Sequence, residues 1–445
     1  MMDMSDKEKF LALLYSTDPA NIKLAIEMAS GVPALQAEID DYLQLYEALF
    51  KREEKEKSDF EKIQLLNRSS LDISGQNVAC LPDTISRLSK LARLDLSDNQ
   101  LQTLSDSIGD LSVLKELNLR GNRLQTLPNS IGTLRALEIL DLSWNQFQTL
   151  LDPMEPLTML KELYLDGNQL QALPNYIGIF KALTTLYLSY NALQTLPDSI
   201  GELTSLELLN LHNNQLQTFP VEIGQLTTLE VLDISSNQLQ QLPDSIGDLT
   251  ALRRLALFDN QLQTLPSSIS QLTALEMRSL HGNQLQIFPD SICTLTTLDT
   301  LLLSDNTLQV LPESIGQLTG LQQLNLHGNQ FQTFPVEVSQ ITTLEVLLLS
   351  DNALQILPES IGQLTDLQQL SLDDNQLQVL PKSIGALIDL EELTLSNNQL
   401  THLPEEIKQL SKLERLDIKN NALTETEVAQ LKQWLPHCEI TSDFN

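Results

Sequence analysis

Trp144, Tyr164, Tyr187 and Tyr190 are four of the nine Trp and Tyr residues in a chain with only 4% aromatics, and all four fall within residues 144–190. Such rings bury a large area at small rotamer loss and keep a polar tip in water, so their chemistry is recognition, not bond making. Asp141, Glu162 and Asp166 stand among them and favour a protein partner with basic groups. The competing reading is a cross-strand aromatic ladder that only stiffens a sheet. A second, weaker set is apolar: Phe258, Met277, Leu302, Val346 and Leu348, whose exposure on nearby copies of one pattern would mark a contact or self-association.

Groups able to make or break bonds are not arranged to do so. There is no GxxxxGK[ST], HExxH or CxxC. His212, His281 and His327 share one place in the pattern described below but are two and three copies apart, too far for ligands that must each lie about 2 Å from one ion. Cys80, Cys293 and Cys438 are odd in number and widely spaced, which is no disulfide framework and fits a reducing compartment. The chain is therefore expected to be no enzyme, with no cofactor and no metal.

Charge narrows the partners. With 59 acidic and 27 basic residues the net charge is −32, and residues 279–381 hold 11 Asp or Glu and no Lys or Arg. Such a field repels nucleic acid. The start, MMDMSDKEKFLALLYS, is acidic where a signal peptide is basic, and no run reaches the ~20 apolar residues of a membrane span. A cytoplasmic monomer, away from membranes, is the expectation; the triplet Asn67-Arg68-Ser69 speaks weakly against it.

What positions these residues is a repeat. Asparagine recurs every 23 residues from Asn99 to Asn421 without a slip, and Gln76 holds the same place one step earlier, giving 16 copies. Each copy reads LxxLxLxxNxLxxLPxxIGxL. The LxL segment alternates as a strand with one buried face does, the amide can tie down backbone at a turn, and the Pro and Gly of LPxxIGxL suit a short helical or extended return. One copy cannot cover its own leucines, whereas stacked copies can.

This wording resembles that of leucine-rich-repeat proteins, in particular the 23-residue class found in bacterial repeat proteins, plant intracellular Ras-group-related repeats and an animal Ras-pathway scaffold. The resemblance implies an α/β solenoid: a curved parallel β-sheet on the concave face and short helical or extended returns on the convex one. Counting the asparagine as position 9, positions 3, 5, 7 and 8 face solvent on the strand side, and the four aromatics occupy positions 5 and 8. Arg278 breaks position 4, Leu in every other copy, and LLDPMEPL at 150–157 loses the usual Gly.

The expected organisation is an N-terminal helical cap over 1–65, repeats over 66–423 and a C-terminal cap helix with tail over 424–445. Ser5 with Glu8, Asp18 with Pro19, and Pro33 mark three helix starts, Gly31 a stop, and residues 51–62 read as a solvated charged helix. Val428, Leu431 and Trp434 have helical spacing. The function expected is a noncatalytic protein-interaction scaffold with a role in signalling. The alternatives are a structural or self-associating array, and a bacterial effector or receptor-like recognition module. The 24 residues after Asn421 would leave an effector no room for a catalytic domain.

Overall fold

The computed structural model describes residues 4–51, 57–150, 154–275, 279–295 and 298–444. Met277, Arg278 and most of the irregular start of 150–157 lie outside them. By its internal contacts the chain divides into two units, one ending at Gln215 and the other beginning at Leu216.

The first unit opens with α1 (Met4–Leu14), α2 (Pro19–Ala29), α3 (Pro33–Leu49) and α4 (Asp59–Leu66). The local signals act as their chemistry dictates. Asp18 accepts a hydrogen bond from the Ala20 N–H at 2.9 Å, with Pro19 in the first turn of α2, and Gly31 follows with φ +81°. α1 already includes Ser5. The charged helix expected over 51–62 is shorter: Ser58 and Glu61 form a capping box, so α4 starts at Asp59, and residues 52–56 are outside the described set. Asn67 is buried, donating to the Leu14 and Ser16 carbonyls (2.7 and 2.8 Å) and accepting from the Tyr42 hydroxyl (2.7 Å). It ties three helical segments to the first repeat and is no surface acceptor site.

Seven three-residue strands follow in chain order, each parallel to the next: β1 (Ser70–Asp72), β2 (Arg93–Asp95), β3 (Glu116–Asn118), β4 (Ile139–Asp141), β5 (Glu162–Tyr164), β6 (Thr185–Tyr187) and β7 (Leu208–Asn210). The central leucine of each is buried and its two neighbours face out, which is the two-residue period of a half-buried sheet.

The second unit pairs β8 (Val231–Asp233) with β9 (Arg254–Ala256). It then runs β10 (Thr300–Leu302), β11 (Gln323–Asn325), β12 (Val346–Leu348), β13 (Gln369–Ser371), β14 (Glu392–Thr394), β15 (Arg415–Asp417) and β16 (Glu439–Thr441) as a seven-stranded parallel sheet. α5 (Glu425–Trp434), started by a Thr424–Glu427 capping box, buries Val428 and Leu431, while Trp434 is half-buried. The strand after it corrects the expected tail: Ile440 pairs with Leu416, 24 residues earlier, because the helix takes the place of the usual return.

Each asparagine serves four backbone groups. The amide of Asn214 donates to the Leu188 and Leu211 carbonyls (2.9 and 3.0 Å) and to that of His212, while its oxygen accepts from the Leu193 N–H at 3.0 Å. Two of these partners belong to the preceding copy, so the residue closes its own turn and staples it to the neighbour. The return is a five-residue 3-10 turn entered by proline, as at Pro197 (φ −72°, ψ 151°) before Asp198–Glu202. Its glycine lets successive turns stack: a β-carbon on Gly178 would stand 2.7 Å from the Ser199 carbonyl oxygen.

Candidate functional site

The residue just before each asparagine has a left-handed backbone. Here φ is between +52° and +67° from Asp98 to Asn420 wherever the position deviates from ordinary values, and the occupants are Asp, Asn, Ser and Gly, which tolerate it, with two exceptions. The exceptions are Trp144 (φ +55°) and Tyr190 (φ +54°). A bulky side chain there carries backbone strain that the surrounding fold must hold in place. Both rings are 47% exposed.

The glycine of the intervening copy joins them. Gly167 (φ +62°) occupies the same position between Trp144 and Tyr190, and a β-carbon on it would lie 2.6 Å from the indole ring. The indole therefore lies across Gly167 and reaches Tyr190 two copies away, with ring centroids 6.0 Å apart. The row extends at both ends: the Arg120 guanidinium sits 6.0 Å from the indole centroid, and His212 meets Tyr190 edge-on at 5.3 Å.

A second row lies on the strands. Tyr164 and Tyr187 are register partners on β5 and β6, half-buried and stacked at 5.3 Å with 17° between ring planes. The structure thus brings all four aromatics of the sequence reading onto the open sheet face of the first unit, as two parallel rows. Sequence reasoning missed Gly167, Arg120 and His212 as parts of them. The signal was present in the Asp, Asn, Ser and Gly usage before each asparagine, which is the usage of a left-handed position.

The three acids are partly committed. Half of the copies carry Asp or Asn at position 5, whose side chain can accept from the N–H two residues on, as Asp141 does from Ser143 at 2.8 Å. Tyr187 cannot do this, and Asp166 of the previous copy takes over, accepting from the Ser189 N–H (2.8 Å) and hydroxyl (2.5 Å). Burial pushes the Asp166 carboxyl above the usual range, against the pull of those Ser189 hydrogen bonds. Glu162 accepts from the Tyr164 hydroxyl at 2.6 Å. Burial first, then Glu162 and the charge of Asp141, push the Tyr164 phenol up, so it remains a donor.

Beside the rings a hollow of about 410 Å³ opens towards the helical end, lined by Asp72, Asp95, Glu116, Asp141 and Glu162 with Arg93 and Tyr164. Five carboxylates against one guanidinium make it a place for cationic groups. At the sheet margin Glu138 bridges Lys161 (2.6 Å) and Lys115 (2.9 Å), whose hydrogen bonds and charge hold its carboxyl down at about 2.

The apolar set in the second unit is not one patch. Phe258 stacks on His281 at 4.8 Å, and His281 Nδ1 lies 2.5 Å from the Ser279 hydroxyl. Leu302 and Leu348 occupy the same register on β10 and β12, but Asn325 stands between them. All of Phe258, Leu302, Val346 and Leu348 are half-buried. Among the described residues no three His, Cys, Asp or Glu side chains are grouped to hold a metal ion, and no helix is long and apolar enough to cross a membrane.

A family model described as a leucine rich repeat matches residues 69–124, 89–147, 112–170, 158–216 and 367–423, and one described as a leucine-rich repeat region matches 199–281 and 240–349. Among solved structures the chain is similar to a leucine-rich-repeat protein of Leptospira interrogans, at 42% identity over 85% of this chain and 97% of that one, with a TM-score of 0.76. It is also similar to the ectodomain of the Arabidopsis thaliana receptor kinase GASSHO1/SCHENGEN3, in complex with Casparian strip integrity factor 2, at 30% identity over 85% of this chain but 56% of that one (TM-score 0.53). The plant peptide hormone receptor RGFR1, in complex with RGF2, is 28% identical over 86% of this chain and 72% of that one (TM-score 0.58). A search of curated proteins finds no match.

Proposed function

Since the chain belongs to the leucine-rich-repeat family, we propose that it is a noncatalytic scaffold holding a protein partner on the open sheet face of its first unit. The contact is made by Trp144, Tyr164, Tyr187 and Tyr190, and the partner brings basic groups to the carboxylates beside them. The observation that carries this is the left-handed backbone under Trp144 and Tyr190. Each such residue costs of order 1–3 kcal/mol, and a fold that needed only a stable turn would use Asn, Asp, Ser or Gly, as its other copies do. Strain kept under two half-exposed aromatic rings is accounted for by a binding role for the rings. The two plant neighbours, both solved with a ligand, support recognition as the use of this fold. Action in the cytoplasm, in keeping with three free cysteines, and a place in signalling go with the proposal.

Trp144→Asn together with Tyr190→Asn tests it. The variant keeps a residue suited to left-handed backbone, so its thermal unfolding should match or exceed that of the parent, while capture of the partner is lost. If the rings merely stiffen the sheet, the variant unfolds at lower temperature.

A further inference from the structure

The edge of the repeats just past the asparagine is uncharged. In the 14 copies from Asn99 to Asn398, the six residues that follow the asparagine make 84 in all, and Arg123 is the only Asp, Glu, Lys or Arg among them. The whole chain has 27 basic and 59 acidic residues in 445, about one charged residue in five, against one in 84 here, where the leucines two and five places past the asparagine are mostly buried and the places between them are not. A solvent-exposed edge of a net −32 protein has no reason of solubility to be neutral.

Within the second unit this edge has a definite surface. The glutamine three residues past the asparagine is exposed in every copy from Gln217 to Gln378. The residue after it, in five successive copies, is Ile287, Val310, Thr333, Ile356 and Val379. The four apolar members are 67%, 62%, 65% and 43% exposed, among the most open apolar side chains of the chain. Neighbouring rungs are in touch along the edge, as where the Gln286 N–H meets the Gln263 carbonyl at 3.4 Å.

We propose that this edge of the second unit is where a second copy of the chain docks. Three features point to self-pairing. A glutamine amide is both donor and acceptor, so a row of them is complementary to itself. The row is flat in chemistry and regular in period, one rung per copy at ~4.8 Å, and the surface matching that period is another such row. The order Ile, Val, Thr, Ile, Val also suits a two-fold axis through Thr333: antiparallel apposition sets Ile287 against Val379, Val310 against Ile356, and Thr333 against its own copy.

Charge favours the same face. Residues 279–381 hold 11 acids and no base, none of them on this edge, so the other faces of these copies repel one another and this edge does not. With the axis at Thr333, two exposed residues in each of the five copies from Gln286 to Val379 give ten per molecule, well below the roughly 20–30 a side of a stable interface. The dimer is accordingly weak and reversible, unlike the monomer expected from sequence. It involves neither the aromatics nor the hollow of the first unit.

Sedimentation velocity on the full chain, from about 1 to 100 µM protein at about 0.05 and 0.5 M NaCl, tests this. A dimer should grow with concentration and with salt, because salt screens the repulsion between acidic copies. Val310→Glu with Ile356→Glu should return the protein to monomer at every condition, while Thr103→Glu with Thr126→Glu, at the same repeat position in the first unit, leaves the dimer unchanged. Both substituted pairs are exposed, and circular dichroism confirms that each variant is folded. A protein that is monomeric at 100 µM in high salt, or a dimer that survives Val310→Glu with Ile356→Glu, overturns the proposal.

Discussion

Asn214 shows how much one residue does in this fold. Its side chain supplies hydrogen bonds to the backbone of two copies, three of them in buried surroundings. Asn214→Ala orphans the Leu193 N–H, whereas the Leu188 carbonyl keeps the Asn191 amide at 3.1 Å, and an unsatisfied buried group costs ~1–3 kcal/mol. Urea unfolding should therefore show a loss of about 1–3 kcal/mol, and a loss below about 1 would contradict the stapling role. That role was legible in sequence, because an amide at an unvarying 23-residue interval has few other uses. The strain under Trp144 and Tyr190 was not read, because the eye follows the aromatic side chain and the left-handed position is defined by what the other copies put there. Glu138 offers a separate check. Its carboxyl is held at about 2 by Lys161 and Lys115, below its unfolded range, so the stability it lends is present above that range and is lost as pH falls towards 2. A carbon-detected NMR titration should find its midpoint near 2, and a midpoint above 4 would mean the lysine bridge is not held in solution.

At the scale of elements, strand and turn positions followed from two patterns, LxL and LPxxIGxL. The return was expected only to be short and helical or extended; it is one 3-10 turn, with proline just before it and glycine four residues further on, as at Pro197 and Gly201. Gly178→Ala tests the stacking of these turns. The added methyl meets the Ser199 carbonyl, a backbone atom that cannot step aside, so melting temperature should fall despite alanine's better helix propensity. An unchanged or higher melting temperature would show that the spacing of the turns is adjustable. Two elements were misread. α4 begins later than its charge pattern suggested because Ser58 and Glu61 cap it, and β16 was taken for a tail because it carries no LxL and breaks the 23-residue interval by one. The first error arises where a local hydrogen bond overrides a charge pattern, the second where an inserted helix overrides the repeat.

For the molecule as a whole, repetition explains stability and the departures from it explain function. Copies hold one another through leucine layers, asparagine staples and stacked turns, so no single surface position is needed for the fold. The first unit gathers aromatic rings and carboxylates on one sheet face, while the second keeps an edge free of charge. The identity of the four aromatics was legible in sequence; their arrangement in two rows, spanned across Gly167, needed coordinates. The central claim, that the rings of the first unit serve a partner, is tested most directly by comparing the Trp144→Asn, Tyr190→Asn variant with the parent in two readouts on one preparation: melting temperature, and native-lysate capture read by mass spectrometry. The account predicts an equal or higher melting temperature and the loss of a protein that the parent retains. A variant that captures the same proteins, or that melts several degrees lower, would contradict it.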